Sequence, residues 1–268
     1  MTANPSQFLA SAYQQSRKDL TAYVTRMVVR PAVAEELVQE AALRLLESAH
    51  PPTDPTGVRA WLFRVATNLA IDHLRSHRTW RENMLLDTRE RATKDAAFVA
   101  ESRLLRGSPE MSAIAREHLA VCFSCTLRNL PPEHAAALLL AEVHGFTVAE
   151  AAEILGATFG QTKGWIQAAR TKLREKYDAT CALITKQGVC YQCVELGKFF
   201  NAREEDPLVG TRRDLDARLS ILSEHRDDAL GPWHRLMMRI VDDVLTWPDV
   251  AQRPPSPRTS KRAQRRSG

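Results

Sequence analysis

The chain has 268 residues, of which 44% are hydrophobic, 26% charged and 6% aromatic, the balance of a globular protein long enough for two modest domains. Its longest apolar run, Ala135 to Ala141, is far shorter than the roughly 18 residues of a membrane span, and no charged-apolar-small leader opens it. Neither membrane insertion nor secretion is expected, and the expected location is cytoplasmic. The net charge of +5 comes from 37 Lys and Arg against 32 Asp and Glu, but Arg253, Arg258, Lys261, Arg262, Arg265 and Arg266 all lie at the C-terminal end, so any nucleic-acid argument has to rest on local charge.

Apolar residues recur at spacings of three and four through most of the first 180 residues, and strand signals are scarce, which predicts a mainly helical chain. A first helix, about Ser6 to Val29, carries Leu9, Tyr13, Leu20, Tyr23, Val24 and Met27 on one side and stops at Pro31. A second, Val33 to Ser48, turns Ala34, Leu37, Val38, Ala41 and Leu45 inward and the acidic Glu35, Glu36, Glu40 and Glu47 outward with Gln39. Three prolines make His50 to Gly57 a loop. A third helix, Val58 to about Thr79, has a broad apolar face and a polar row of Arg64, Asn68, Arg75 and Arg78. Guanidinium groups with an amide among them suit phosphates plus one or two bases, although a solvated charged face has the same composition. Trp61 is flanked by core positions, which favours packing over base stacking.

Residues 80 to 108 are charged and weakly periodic and read as a tether. Helices are then expected at about Glu110 to Arg128, Pro132 to His144, Val148 to Leu155 and Phe159 to Tyr177. Thr147 with Glu150 and Thr158 with Gln161 form capping-box patterns at two of the starts. A short helix, a glycine turn and a longer basic helix fit a helix-turn-helix, with a plain helical hairpin as the alternative. The longer helix carries Lys163, Arg170, Lys172, Arg174 and Lys176 against Glu175, and Gln161, Lys163 and Gln167 are its candidates for base contact. Beyond it, Cys181 to Cys193 reads as a small hairpin, Thr211 to Ala229 and Trp233 to Thr246 as amphipathic helices, and Pro248 onward as disordered.

Five cysteines, an odd number, disfavour a closed disulfide framework. Cys122 and Cys125 precede the second helical cluster, while Cys181, Cys190 and Cys193 follow it. Two CxxC pairs can complete a tetrahedral zinc shell. A thiol-disulfide switch and inert buried thiols are the alternatives. No phosphate-binding glycine loop, HExxH helix or nucleophile elbow is present, so no catalytic residue is assigned.

The run Ala34-Glu-Glu-Leu-Val-Gln-Glu-Ala-Ala-Leu-Arg-Leu-Leu46, followed by Arg59-Ala-Trp-Leu-Phe-Arg-Val-Ala-Thr-Asn-Leu-Ala-Ile-Asp-His-Leu-Arg75, resembles domain two of extracytoplasmic-function (group IV) sigma factors of bacterial RNA polymerase. Leu130 to Gly156 and the basic helix to Arg174 resemble their domain four. The resemblance implies an all-α, non-enzymatic promoter-specificity subunit with no required cofactor. Its partners would be core polymerase and promoter DNA, with an anti-sigma factor as a further candidate. It implies polymerase docking by Glu36, Gln39 and Glu40, minus-ten contact by Arg64, Asn68, Arg75 and Arg78, and minus-thirty-five contact by Gln161, Lys163, Gln167 and Arg170. The expected organisation is domain two at 1–80, a linker at 81–108, domain four at 109–178, a cysteine-containing regulatory extension at 179–247 and a basic tail at 248–268. Thr162, Gly164 and Trp165 depart from the family's reading helix, where an apolar residue, a small residue and an Arg are common around the Lys. The rival readings are a stand-alone helix-turn-helix regulator with a structural zinc, and a thiol or zinc enzyme.

Overall fold

The structure is a computed structural model that describes residues 5–76, 84–106, 126–180, 215–224, 226–227 and 232–245. Among these residues every regular element is an α-helix. Helices α1 (Pro5–Val28), α2 (Pro31–Leu46) and α3 (Pro55–Ser76) pack on one another as a first bundle. Their core is made of large side chains: Leu20, Tyr23, Leu62 and Phe63 are fully buried, each contributing about 1.5–3 kcal/mol for its apolar part. The Tyr23 hydroxyl donates to Thr67 Oγ1 (2.8 Å), because the Thr67 hydroxyl is itself committed to the Phe63 carbonyl (2.6 Å).

Two helix starts follow from proline. Pro31 and Pro55 each stand in the first turn, where the missing N–H would have been unpaired in any case. Pro55 to Gly57 therefore belong to α3, not to the loop that the prolines suggested. Asp54 caps the helix by accepting from the Gly57 N–H (2.9 Å), and a Cβ at Gly57 would stand 2.8 Å from the Asp54 carboxylate. Between α1 and α2 the backbone reverses at Val29 with φ +69°, a strained conformation for a β-branched residue that is offset by burial of its side chain.

The expected tether contains two helices, α4 (Met84–Lys94) and α5 (Ala96–Arg106), with Asp95 capping α5 through the Phe98 N–H (2.8 Å). They pack against each other and against the helix Pro232–Leu245, so residues distant in sequence supply the apolar partner that local periodicity did not reveal. Helices α6 (Pro132–Glu142), α7 (Val148–Leu155) and α8 (Phe159–Thr180) form the second bundle around Ala135 to Leu140, Ile154, Ile166 and Ala169. Both capping boxes are made: Thr147 with Glu150 at α7, and Thr158 with Gln161 at α8. Gly156 ends α7 in the left-handed region (φ 63°) that favours glycine.

In the C-terminal part, α9 (Leu215–Glu224) packs on α8 and α10 (Pro232–Leu245) on α4 and α5. The α10 contact is tied by Arg91 to Asp243 and by Arg239 to Glu101, each at 2.8 Å. The helix expected at Glu110 to Arg128, apart from its last residues, the hairpin at Cys181 to Cys193 and the basic tail lie outside the described residues.

Candidate polymerase and promoter interfaces

On α2 the inward stripe is Ala34, Val38, Ala41 and Leu45. Helical geometry then sends Glu36 and Gln39 to the surface, with Glu40 half-buried beside them. Glu40 accepts from Arg44 Nε one turn on (2.8 Å). Leu43 and Leu46 lie on the same outer strip and are 53% and 55% exposed. The spacing carries a signal for this strip that the inward apolar stripe obscures, since Leu43 follows Glu36, Gln39 and Glu40 by seven, four and three positions. Carboxylates around two bare leucines make a face suited to a protein partner and ill suited to phosphates.

On α3, Arg64, Asn68, Asp72 and Arg75 are exposed in one row, while Leu62, Phe63, Ala66, Thr67 and Ala70 are buried opposite them. Trp61 is half-buried against the core. The α3 row is not uniformly cationic: Asp72 stands 4.0 Å from Arg75. Arg75 also donates to Glu133 of α6, across the boundary between the two bundles. Arg78 lies outside the described residues.

On α8, Gln161, Lys163 and Gln167 are exposed together, whereas Thr162, Ile166 and Ala169 are buried. The three departures from the family pattern have local explanations. Thr162 is buried, with its hydroxyl satisfied by the Thr158 carbonyl (3.0 Å). Gly164 is exposed, and a Cβ there would meet nothing within 4 Å. Trp165 stacks on His134 of α6, with ring centroids 6.0 Å apart. Arg170 does not join Gln161, Lys163 and Gln167. It donates to both oxygens of Glu142 (2.9 Å each) and to Asp216 of α9, so three carboxylate oxygens hold it half-buried.

The bundles meet at a polar cluster that local sequence patterns did not mark. Arg59 Nη2 bridges Asp19 Oδ2 and the His144 carbonyl, both at 2.7 Å, and His144 Nδ1 lies 2.6 Å from Asp19 Oδ1. Burial pushes the Asp19 carboxyl up, but its bonds to His144 and Arg59 outweigh this and hold it below the ordinary carboxylate value. Burial lowers His144 to about 4, against the opposing pull of Asp19 and with Arg26 and Arg59 reinforcing it. His144 is therefore neutral at pH 7, with Nδ1–H donating to Asp19.

Cys122, Cys125, Cys181, Cys190 and Cys193 lie outside the described residues. Among the described residues no group of three His, Cys, Asp or Glu is placed to hold a metal ion. No described helix is long and apolar enough to cross a membrane.

Two family models match the chain. The sigma-70 region 2 family matches residues 12–80, and sigma-70 region 4 matches residues 120–173. The RNA polymerase sigma factor SigZ of Bacillus subtilis is 23% identical over 171 residues, covering 63% of this chain and 86% of SigZ. The ECF RNA polymerase sigma factor EcfG of Rhodopseudomonas palustris is 30% identical over 141 residues, covering 52% of this chain and 68% of EcfG. The ECF RNA polymerase sigma factor SigG of Mycobacterium tuberculosis is 26% identical over 170 residues, and there the match spans 59% of this chain and only 45% of the relative. With region 2 on α1–α3 and region 4 on α6–α8, the chain belongs to the extracytoplasmic-function family of RNA polymerase sigma factors, which act in promoter recognition and are not enzymes.

Proposed function

We propose that this protein docks on core RNA polymerase through the outer face of α2, engages the minus-ten element through Arg64, Asn68, Arg75 and Arg78, and engages the minus-thirty-five element through Gln161, Lys163 and Gln167. The observation that carries the reading is the outer face of α2, where Glu36, Gln39 and Glu40 surround the exposed Leu43 and Leu46. Arg170 is a minus-thirty-five contact only after its bonds to Glu142 and Asp216 break.

The same proposal places the protein in the cytoplasm with core polymerase and gives it two finer partners. An anti-sigma factor would compete for α2 or for the polar row of α3. A zinc ion held by Cys122, Cys125, Cys190 and Cys193, with Cys181 nearby, is supported by the two CxxC spacings alone. Stoichiometric zinc in anaerobically purified protein is its readout.

The test is transcription with purified core and a promoter selected in vitro. Glu36→Lys with Glu40→Lys is expected to abolish co-purification with core while leaving the helical content unchanged, because both residues sit on the outer side of their helix. Asn68→Ala is expected to retain core binding and to lose permanganate-reactive melted bases around the minus-ten element. Undiminished co-purification of the double variant overturns the docking assignment, and normal melting in Asn68→Ala overturns the minus-ten assignment.

A further inference from the structure

Phe159 is the first residue of α8 and is 57% exposed, the only exposed aromatic among the described side chains. The start of the helix does not need a phenyl ring there. Its neighbours make the capping box, with the Gln161 N–H donating to Thr158 Oγ1 (3.2 Å) and the Thr158 N–H to Gln161 Oε1 (3.4 Å). An apolar staple at a helix start joins the residue before the cap to the fourth helical residue, and those positions hold Ala157 and Thr162. Gly160, next in the chain, has no side chain to screen the ring, and a Cβ built there would meet nothing within 4 Å. Trp165 of the same helix is packed against the core instead. The apolar surface of Phe159 is thus left in water, and only a partner outside the chain can cover it.

The surroundings of the ring indicate the partner. Phe159, Lys163 and Gln167 follow one another at intervals of four and form one exposed row along α8. Side chains on a helix tilt toward its N-terminus, so the ring projects ahead of Lys163. Lys172 and Arg174 are exposed further along, against Glu175. The exposed leucines of α2 stand among carboxylates, as suits a protein, whereas this ring heads a cationic row, as suits a polyanion. A phenyl ring gains nothing from phosphate or from hydrogen-bonding base edges. The major groove carries one apolar feature that it can cover, the C5 methyl group of thymine.

We propose that Phe159 is a specificity-determining residue of the minus-thirty-five contact, its ring packing on the C5 methyl group of a thymine in the major groove. This rests on the reading of α8 as a promoter-facing helix and adds a base identity to it. Lys163 offers only donors, which suit the O6 and N7 acceptors of guanine and the O4 acceptor of thymine alike. A methyl contact at the head of the row separates thymine from the other three bases. For a helix lying along the groove, the one turn from Phe159 to Lys163 is a rise of ~6 Å, or about two base pairs at ~3.4 Å each. The thymine read by Phe159 therefore lies within about two base pairs of the base that faces Lys163.

The experiment uses the full chain with core polymerase and a duplex promoter selected in vitro from a library randomised across the minus-thirty-five element. Each thymine of the selected element, on either strand, is replaced singly by deoxyuridine, which deletes only the methyl group, and closed-complex affinity is read by fluorescence anisotropy. At one position the wild type is expected to bind about fourfold more weakly, the worth of one buried methyl group. Phe159→Asn is expected to be indifferent to that replacement and to bind core as the wild type does, while Phe159→Leu, still apolar, keeps the discrimination. Because deoxyuridine leaves the protein untouched, it reads the contact even where a variant fails to fold by circular dichroism. The absence of any methyl-sensitive thymine, or a sensitivity that survives in Phe159→Asn, overturns the contact. Loss of core binding in Phe159→Asn at unchanged helical content overturns it too and assigns the ring to polymerase. Initiation is scored separately: normal initiation with thymine and deoxyuridine bound alike rejects the Phe159 contact alone, whereas failure to initiate at any selected promoter rejects the sigma reading and the contact with it.

Discussion

The two bundles, α1–α3 and α6–α8, are stabilised by different means. In α1–α3 the inward face carries Leu20, Tyr23, Met27, Leu45, Leu62 and Phe63, all fully buried, and the buried Tyr23–Thr67 bond fixes α1 against the middle of α3. In α6–α8 the centre is the alanine and leucine run Ala135 to Leu140 closed by Ile154, Ile166, Ala169 and Leu173 from the other two helices, and the helix ends are fixed by two capping boxes and the left-handed Gly156. Large interlocked side chains position α3 through tertiary packing. Region 4 positions α8 with smaller buried side chains, Ile166, Ala169 and Leu173 among them, and adds local hydrogen bonds at the helix starts. The first bundle should therefore fail by cavity formation and the second by loss of its caps.

The largest expected effect is on the packing side of that comparison. Phe63→Ala removes a fully buried ring that also touches Phe146 and His144, and it should cost about 3–5 kcal/mol, read as a lower urea midpoint. Thr147→Ala removes one half of a capping box and should cost ~0.5–2 kcal/mol, measured by the same denaturation. A loss from Thr147→Ala as large as that from Phe63→Ala would break the distinction. The smallest effect has the opposite sign: Gly164→Ala should raise stability by about 0.5–1 kcal/mol, because the helix is regular there and the added methyl meets nothing within 4 Å. Thermal melting checks it.

Much of the interface chemistry is legible in the order of the residues. The apolar spacing of Ala34, Val38, Ala41 and Leu45 already places Glu36 and Gln39 outward, and the α3 periodicity places Arg64 and Asn68 on one side with Phe63 on the other. Both capping boxes are readable because their donors and acceptors lie three residues apart. The α4–α5 segment reads as a tether because its apolar partner, α10, lies more than a hundred residues away.

What is local and periodic is legible in the residue order: helical class, the boundaries of the helices outside the α4–α5 segment to within a few residues, the acidic face of α2, the polar face of α3 and the family to which the motifs belong. Which of those polar groups are already occupied depends on long-range packing. Arg170 has the composition of a DNA contact and is held by Glu142 and Asp216, and Arg75 is held by Glu133. In the sequence His144 resembles any helical histidine, whereas in the fold Asp19, 125 positions away in the chain, stands 2.6 Å from its ring. The physical reason is that periodicity fixes the direction of a side chain relative to its own helix, whereas its hydrogen-bond partner and its dielectric surroundings are contributed by whichever distant segment folds against it.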